Sequence, residues 1–301
     1  MTSLGGRPLA RQSEARLLGR SWPRWLTYAF LAVSSFLMIY PILYVVLGAF
    51  TTPERFYEFN FLPIPNTLNW PSLVRTWRAV SGSYLVTLLR VGFYLALTLG
   101  VGVTGGSLFS KMRFPGRGPL FLLLLSGLVM PPILMILPQY ILLARFPFAG
   151  GNNWLGQGGH GFAGEWPALF LFGWVPPLAI FLLKQTFDML PTEYEDAARV
   201  DGAGLFTILF RVYGPLLAPA LAALTILTFL TYWNDYLWPS LTIAGSPEWY
   251  PISFKIVNIA GETPSPGMFM RFMLAMWPPA AVYFLFQRYF VQGLVASGLK
   301  G

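Results

Sequence analysis

Four acidic residues, Glu193, Glu195, Asp196 and Asp201, crowd into one short stretch of a chain whose 301 residues include only 12 acids. Clustered carboxylates can hold a cation, relay protons or cap helix ends. Metal and thiol chemistry finds little support: the sequence has no cysteine, and its one histidine, His160, lies in a Gly-rich loop. The spacing favours capping. Thr192 with Glu195 three residues on reads as a capping box, and Asp201 is placed to cap a second helix. Gly202 falls where the backbone must turn, which a residue without a Cβ does at least cost. Beyond it, Leu205, Ile208, Leu209 and Val212 recur with helical period and predict one apolar face. Residues 191–213 therefore read as two short helices hinged at a glycine. Pattern alone leaves this hairpin free to be an interfacial turn joining two membrane helices. A DNA-reading helix-turn-helix would need basic residues facing phosphates, and here Arg199 and Arg211 stand against four acids.

Two other groups of residues could meet a solute. Tyr232-Trp233-Asn234-Asp235, with Tyr236 and Trp238, joins aromatic faces that stack on sugar rings to an amide and a carboxylate that take hydroxyls. The same composition suits an aromatic belt at the outer interface, where Trp and Tyr collect. Arg90 lies inside an apolar run. A charge near mid-bilayer costs about 2.5–3.5 kcal/mol on insertion scales, so it must snorkel, find a partner, or face a cavity toward a polar or anionic solute.

The elements that position these residues are membrane spans. Hydrophobic residues make up 55% of the chain and charged ones 11%, where a soluble domain carries about a quarter charged residues. Apolar stretches near the roughly 20 residues a crossing needs fall at about 25–50, 83–110, 118–143, 166–187, 214–237 and 269–290. They predict an all-α polytopic membrane protein of six transmembrane helices over 25–290. A basic cytoplasmic tail (1–24) precedes them and a short cytoplasmic tail (291–301) follows. The first apolar stretch is too long for the core of a cleavable signal. Residues 51–82 show no helical period and read as a loop, as do 240–268. Prolines interrupt five of the six stretches. Each removes a backbone bond that lipid cannot replace, which points to kinks, or to helices bent around a path. With the N-terminus inside, inner segments hold 13 Lys and Arg and outer segments 6, with Arg90 inside a span. That asymmetry places both termini and the hairpin in the cytoplasm.

On these residues a family resemblance rests. Tyr194-Glu195-Asp196-Ala197-Ala198-Arg199-Val200-Asp201-Gly202-Ala203, followed by Gly214-Pro215, resembles the cytoplasmic coupling loop of ABC importer permeases, which reads Glu-Ala-Ala, three residues, Gly, then Pro further on. Asp196 stands at the usual Glu, and the spacing from Ala197-Ala198 to Gly202 is kept. Phe114-Pro115-Gly116-Arg117, Trp233-Asn234-Asp235 with Leu237-Trp238-Pro239, and Gln287-Arg288-Tyr289-Phe290-Val291-Gln292-Gly293-Leu294 with Lys300-Gly301 are similar to further motifs of the maltose-type, binding-protein-dependent carbohydrate permeases. In this order they extend the resemblance over nearly the whole chain after Trp22.

The resemblance implies one permease half of an importer for a sugar, oligosaccharide or polyol, with a glycerol-phosphate ester as the alternative. It implies a second related permease, two cytoplasmic ATPase subunits, an extracytoplasmic solute-binding protein, the lipid bilayer as setting and no nucleic acid. Glu195, Asp196, Ala197, Ala198, Asp201, Gly202 and Leu205 become the ATPase-coupling residues. Tyr232, Trp233, Asn234, Asp235 and Arg90 are the candidates for the substrate path. The chain has no Gly-x-x-x-x-Gly-Lys-Ser/Thr loop. ATP and Mg are thus expected on the partner ATPases, with no cofactor and no catalysis in this chain. A stand-alone ion-coupled transporter using Arg90 and Asp235 is the alternative from another class, but such transporters are built on internal repeats, and none is found here. A membrane enzyme would need a cluster of His, Asp or Glu at one face, and the only acidic cluster is the hairpin.

Overall fold

The computed structural model describes residues 23–58, 61–65, 67–172, 177–258 and 264–298, the side chains of 288–298 excepted. The tail over 1–22 and Lys300-Gly301 of the C-terminal motif lie outside the described residues, and of its 288–294 part only the helical backbone is described. Every regular element among those described is helical. In chain order they are α1 (Arg24–Phe50), α2 (Pro53–Tyr57), α3 (Trp70–Lys111), α4 (Arg117–Val129), α5 (Pro132–Ala144), α6 (Pro177–Met189), α7 (Glu193–Val200), α8 (Leu205–Leu216), α9 (Ala218–Asn234), α10 (Leu237–Thr242), α11 (Ile252–Val257) and α12 (Pro266–Gly298). Short 3-10 turns lie at Trp166–Leu169 and Pro247–Trp249.

The chain is an all-helical polytopic membrane protein. Three described stretches, α1, α3 and Pro266–Gln287 of α12, are long and apolar enough to cross a membrane. Two bent pairs bring the number to five: α4 with α5, turned by 100°, and α8 with the α9–α10 run, turned by 83°. Pro131 and Pro132 make the first bend, where the helix cannot continue through the missing N–H. Pro41 and the Pro278-Pro279 pair are instead absorbed within α1 and α12. The fourth expected span is represented by α6, whose 13 residues reach only about 20 Å at 1.5 Å per residue.

Two expected loops hold helix. α3 begins at Trp70, inside the stretch that read as aperiodic, because the Asn69 side chain accepts the Ser72 N–H at 3.1 Å and Pro71 fits the first turn. The Asn-Trp-Pro sequence carried that signal. In the 240–268 stretch α11 forms, burying Ile252, Ser253 and Phe254.

A face of small residues seats α3 against α6. A Cβ on Gly106 would stand 2.9 Å from Leu183 Cβ and 3.0 Å from the Lys184 nitrogen, and one on Gly102 would stand 2.9 Å from Leu183 Cδ1. Lipid supplies no hydrophobic drive for two helices to associate, so such close backbone packing is what holds them. The contact matters because α6 leads directly into the hairpin. Leu183 and Phe187 of α6 then form one core with Ile208, Leu209 and Tyr213 of α8 and Leu224 of α9.

Candidate functional site

The hairpin is built on α7 and α8, and its two expected side-chain caps do not form. Thr192 sits in the helical region, and its carbonyl, rather than its hydroxyl, accepts the N–H groups of Glu195 and Asp196 at 2.9 and 3.0 Å. Glu195 is drawn elsewhere. Its carboxylate accepts from Arg199 Nη2 at 2.7 Å, Arg199 Nε at 3.1 Å and Tyr213 Oη at 3.0 Å. Charge-assisted bonds of this kind are roughly twice as strong as neutral ones, so they win over a backbone cap. Asp201 closes α7, and α8 starts after Gly204 with no side-chain cap. Burial pushes the Glu195 carboxyl up, but the hydrogen bonds from Arg199 and Tyr213 and the charges of Arg199 and Lys111 outweigh it. The net position is below the ordinary carboxylate value.

Gly202 turns the chain at φ +78°. Its N–H donates to the Arg199 carbonyl at 3.0 Å, and the Ala203 N–H donates to the Ala198 carbonyl at 2.9 Å. This pair of bonds closes a helix around a left-handed glycine. The spacing from Ala198 to Gly202 is thus a helix-ending device.

After Leu205–Thr207, the six residues Ile208–Tyr213 form a π-helix. The widened turn shifts the buried face from the one the 3.6-residue period predicts. Ile208, Leu209 and Tyr213 are buried and Val212 is half-buried, but Leu205 is exposed. The outer edge carries Phe206 and Phe210, 71% and 65% exposed. Their rings lie parallel with centroids 6.5 Å apart. Val200, on α7, is also exposed. Sequence reasoning missed this aromatic pair, although its i, i+4 spacing was visible.

The root of the hairpin is tied to α3. Ser110 Oγ donates to Asp188 at 2.6 Å, and Lys111 Nζ donates to the Leu190 carbonyl at 2.8 Å. Lys111 also lies 5.5 Å from the Tyr213 ring centroid. A cavity of about 410 Å³ opens between the end of α3 and α8, lined by Leu108, Lys111, Leu205 and Tyr213 among others.

The second group gathers where α9 gives way to α10. Arg90, midway along α3, is 1% exposed. Its Nη2 donates to Asp235 Oδ2 at 2.6 Å and its Nε to the Leu169 carbonyl at 3.1 Å. The stacked rings of Tyr94 and Tyr232, 3.8 Å apart, lie beside the guanidinium. Of the three ways to accommodate this charge, pairing is the one adopted. Trp233 is buried, and its indole N–H donates to the Ala275 carbonyl at 3.1 Å. Asn234 and Tyr236 are exposed. The structure brings Arg90, Tyr232 and Asp235 together, and buries Trp233 while leaving its neighbour Asn234 exposed. Asn234 and Trp233 both border a cavity of about 520 Å³ shared with α11 and α12.

A multi-pass helical protein with a hinged, aromatic-edged hairpin between spans is the architecture of a membrane transport component. The comparison with known families makes the class specific. Residues 99–295 match the family described as binding-protein-dependent transport system inner membrane component, and the chain belongs to that family. It is 27% identical over 294 residues to an arabinooligosaccharides transport system permease protein of Halalkalibacterium halodurans, covering 93% of this chain and 97% of the relative. It is 28% identical over 282 residues to an sn-glycerol-3-phosphate transport system permease protein of Yersinia enterocolitica, covering 90% and 95%. An osmoprotective compounds uptake permease protein of Synechocystis is 32% identical over 194 residues, 64% of this chain and 61% of the relative. The fold matches a chain in the crystal structure of a bacterial ABC transporter involved in import of the acidic polysaccharide alginate. There the TM-score is 0.70 at 21% identity, over 96% of this chain and all of the other.

Proposed function

We infer that this chain is the transmembrane permease subunit of an ATP-driven ABC importer for a carbohydrate, and that it forms one half of the translocation path. The 191–213 hairpin receives force from a separate cytoplasmic ATPase subunit, which holds the ATP and Mg. A second related permease completes the path, a second ATPase subunit serves it, and an extracytoplasmic binding protein delivers the solute. Both termini and the hairpin face the cytoplasm, in line with the 13-to-6 split of basic residues.

The observation that carries this reading is the exposed edge of Phe206 and Phe210 on a hairpin whose Glu195 is already engaged by Arg199 and Tyr213. Such a surface invites a protein groove, as amphipathic helices do in other complexes. Glu195 braces the two helices through Tyr213, Gly202 sets the angle between them, and Ala197, Ala198, Asp196, Asp201 and Leu205 complete the docking element.

The carbohydrate assignment draws on the arabinooligosaccharide relative and on the aromatic and amide groups near α10. The glycerol-phosphate ester reading is kept because the relative bearing that name is equally similar along an equally complete alignment. Reconstitution with the partner subunits and the binding protein tests both. Gly202→Val should leave the subunit in the membrane and abolish solute-stimulated ATP hydrolysis; normal stimulation would count against the coupling role. Uptake of labelled arabinotriose against labelled glycerol-3-phosphate separates the two solute classes.

A further inference from the structure

The residues around the α9–α10 break divide into two kinds by burial. Trp233 and Trp238 are buried, Asp235 is half-buried, and the three are held by four different elements. Trp233 donates to Ala275 of α12, and Trp238 Nε1 donates to the Ala168 carbonyl of the 3-10 turn at 2.8 Å. Asp235 is held by Arg90 of α3, and its own carbonyl accepts Ser253 Oγ of α11 at 2.8 Å. Between these anchors stand Asn234 and Tyr236, both exposed, an amide and a phenol on one short stretch.

The ion pair is not arranged for maximum pairing. Arg90 uses one guanidinium nitrogen on Asp235, and its Nη1 is buried without a partner. Asp235 Oδ1 meanwhile lies 3.3 Å from the Trp238 N–H, at the start of α10. A planar guanidinium readily grips a carboxylate with two parallel bonds. Here the second oxygen serves the backbone break instead. An orphaned buried donor demands a reason, and the demand of the break on Asp235 supplies one.

We propose that Arg90 and Asp235 are positioning residues: a buried clamp that fixes the α9–α10 break and so presents Asn234 and Tyr236 to a water-lined solute path, where their amide and hydroxyl take the hydroxyls of a polyhydroxylated solute. The proposal rests on the permease reading. It separates the aromatic stretch into anchors (Trp233, Trp238) and presenters (Asn234, Tyr236), and it makes Arg90 the support of the path rather than a solute contact.

The chain has no cysteine, so single-cysteine variants of it need no background change in the chain itself, and labelling in the assembled transporter is read on this subunit's own band. The probe is a charged, membrane-impermeant methanethiosulfonate, which reacts only where water reaches the thiol. Asn234→Cys and Tyr236→Cys should label, and Trp238→Cys, at a buried position away from the cavity that Trp233 and Asn234 border, should not. Adding Arg90→Gln should change the labelling rate at position 236 by about tenfold or more, as expected when a buried pair is broken, and the charge-swapped pair R90D/D235R should return it toward the original rate. A pair that does not fix the break would leave the rate at 236 unchanged by the single substitution and by the swap alike. Should the swap fail to assemble, Asp235→Asn in the same assay decides, since it removes the charge at constant shape. Unreactive cysteines at both 234 and 236, or a labelling rate indifferent to Arg90 and Asp235 substitutions, overturns the proposal. Labelling requires no transport, so a failure here leaves ATP-driven uptake standing, and absent uptake with the expected labelling pattern would indict the permease reading alone.

Discussion

In the hairpin, Phe206 and Phe210 stand 71% and 65% exposed while the carboxylate of Glu195 is braced against Arg199 and Tyr213. At the α9–α10 break the pattern is inverted: Trp233 and Trp238 are 2% and 7% exposed, and a guanidinium 1% exposed sits among them. One region shows apolar surface and ties its central carboxylate to side chains of its own two helices. The other hides its tryptophans and uses a buried charge to fix a bend. The difference is between an element that must be gripped by another protein and an element that must hold its own geometry. A surface pair such as Glu195–Arg199 adds little energy, so the hairpin can be displaced as a unit. Removing one partner of a buried pair strands the other charge, so the break resists displacement.

The contrast can be broken most sharply at Asp235. Asp235→Ala leaves Arg90 buried without its carboxylate and should cost about 3–5 kcal/mol, read as a large fall in the thermal unfolding midpoint of the purified complex. Equal stability in this variant would mean that the pair is ornamental. The second test concerns Phe206→Ala with Phe210→Ala. These exposed residues should leave subunit stability within about 0.5 kcal/mol. They should weaken ATPase-subunit binding by about 2 kcal/mol or more, as central interface aromatics do. A stability loss with intact binding would exchange the roles assigned to the two regions.

Gly202 gives a smaller, graded test. A Cβ built there meets nothing within 4 Å, so the cost of substitution is backbone strain alone, about 1–2 kcal/mol for a β-branched residue at φ +78°. Gly202→Val should therefore abolish stimulated ATP hydrolysis where Gly202→Asn only lowers it, since Asn tolerates the left-handed region. The smallest effect is expected from Glu195. Its folded carboxyl lies below the ordinary value, so its contribution is complete above the unfolded pKa of about 4.3 and is lost as pH falls through the lower folded value. Amide exchange in α7, followed from neutral pH downward after correction for intrinsic rates, should keep its protection until that window. Glu195→Gln should remove the pH dependence at a cost under about 1 kcal/mol.

The two regions were not equally legible from sequence. Gly202 and its turn were, because a left-handed residue followed by a new apolar run leaves a local mark, and the positive φ follows from one residue type. The capping box was legible but wrong: nothing local reveals that Tyr213, 18 residues on, competes for Glu195. The face of α8 was misassigned because a π-helical turn breaks the 3.6-residue count that period reading assumes. The partner of Arg90 lies 145 residues away, a distance at which no periodicity speaks. The burial of Trp233 beside the exposure of Asn234 depends on α11 and α12 packing against α9. The start of α3 at Trp70 could have been read, since Asn69 and Pro71 form an ordinary helix-opening signal.

The central claim is that the aromatic edge of the hairpin sits on an ATPase subunit. A photoreactive benzophenone side chain placed at Phe206 in the assembled transporter addresses it directly. The account predicts an adduct between this chain and the ATPase subunit, lost when the ATPase is stripped away. An adduct only to lipid, to the extracytoplasmic binding protein, or to no protein at all would contradict it.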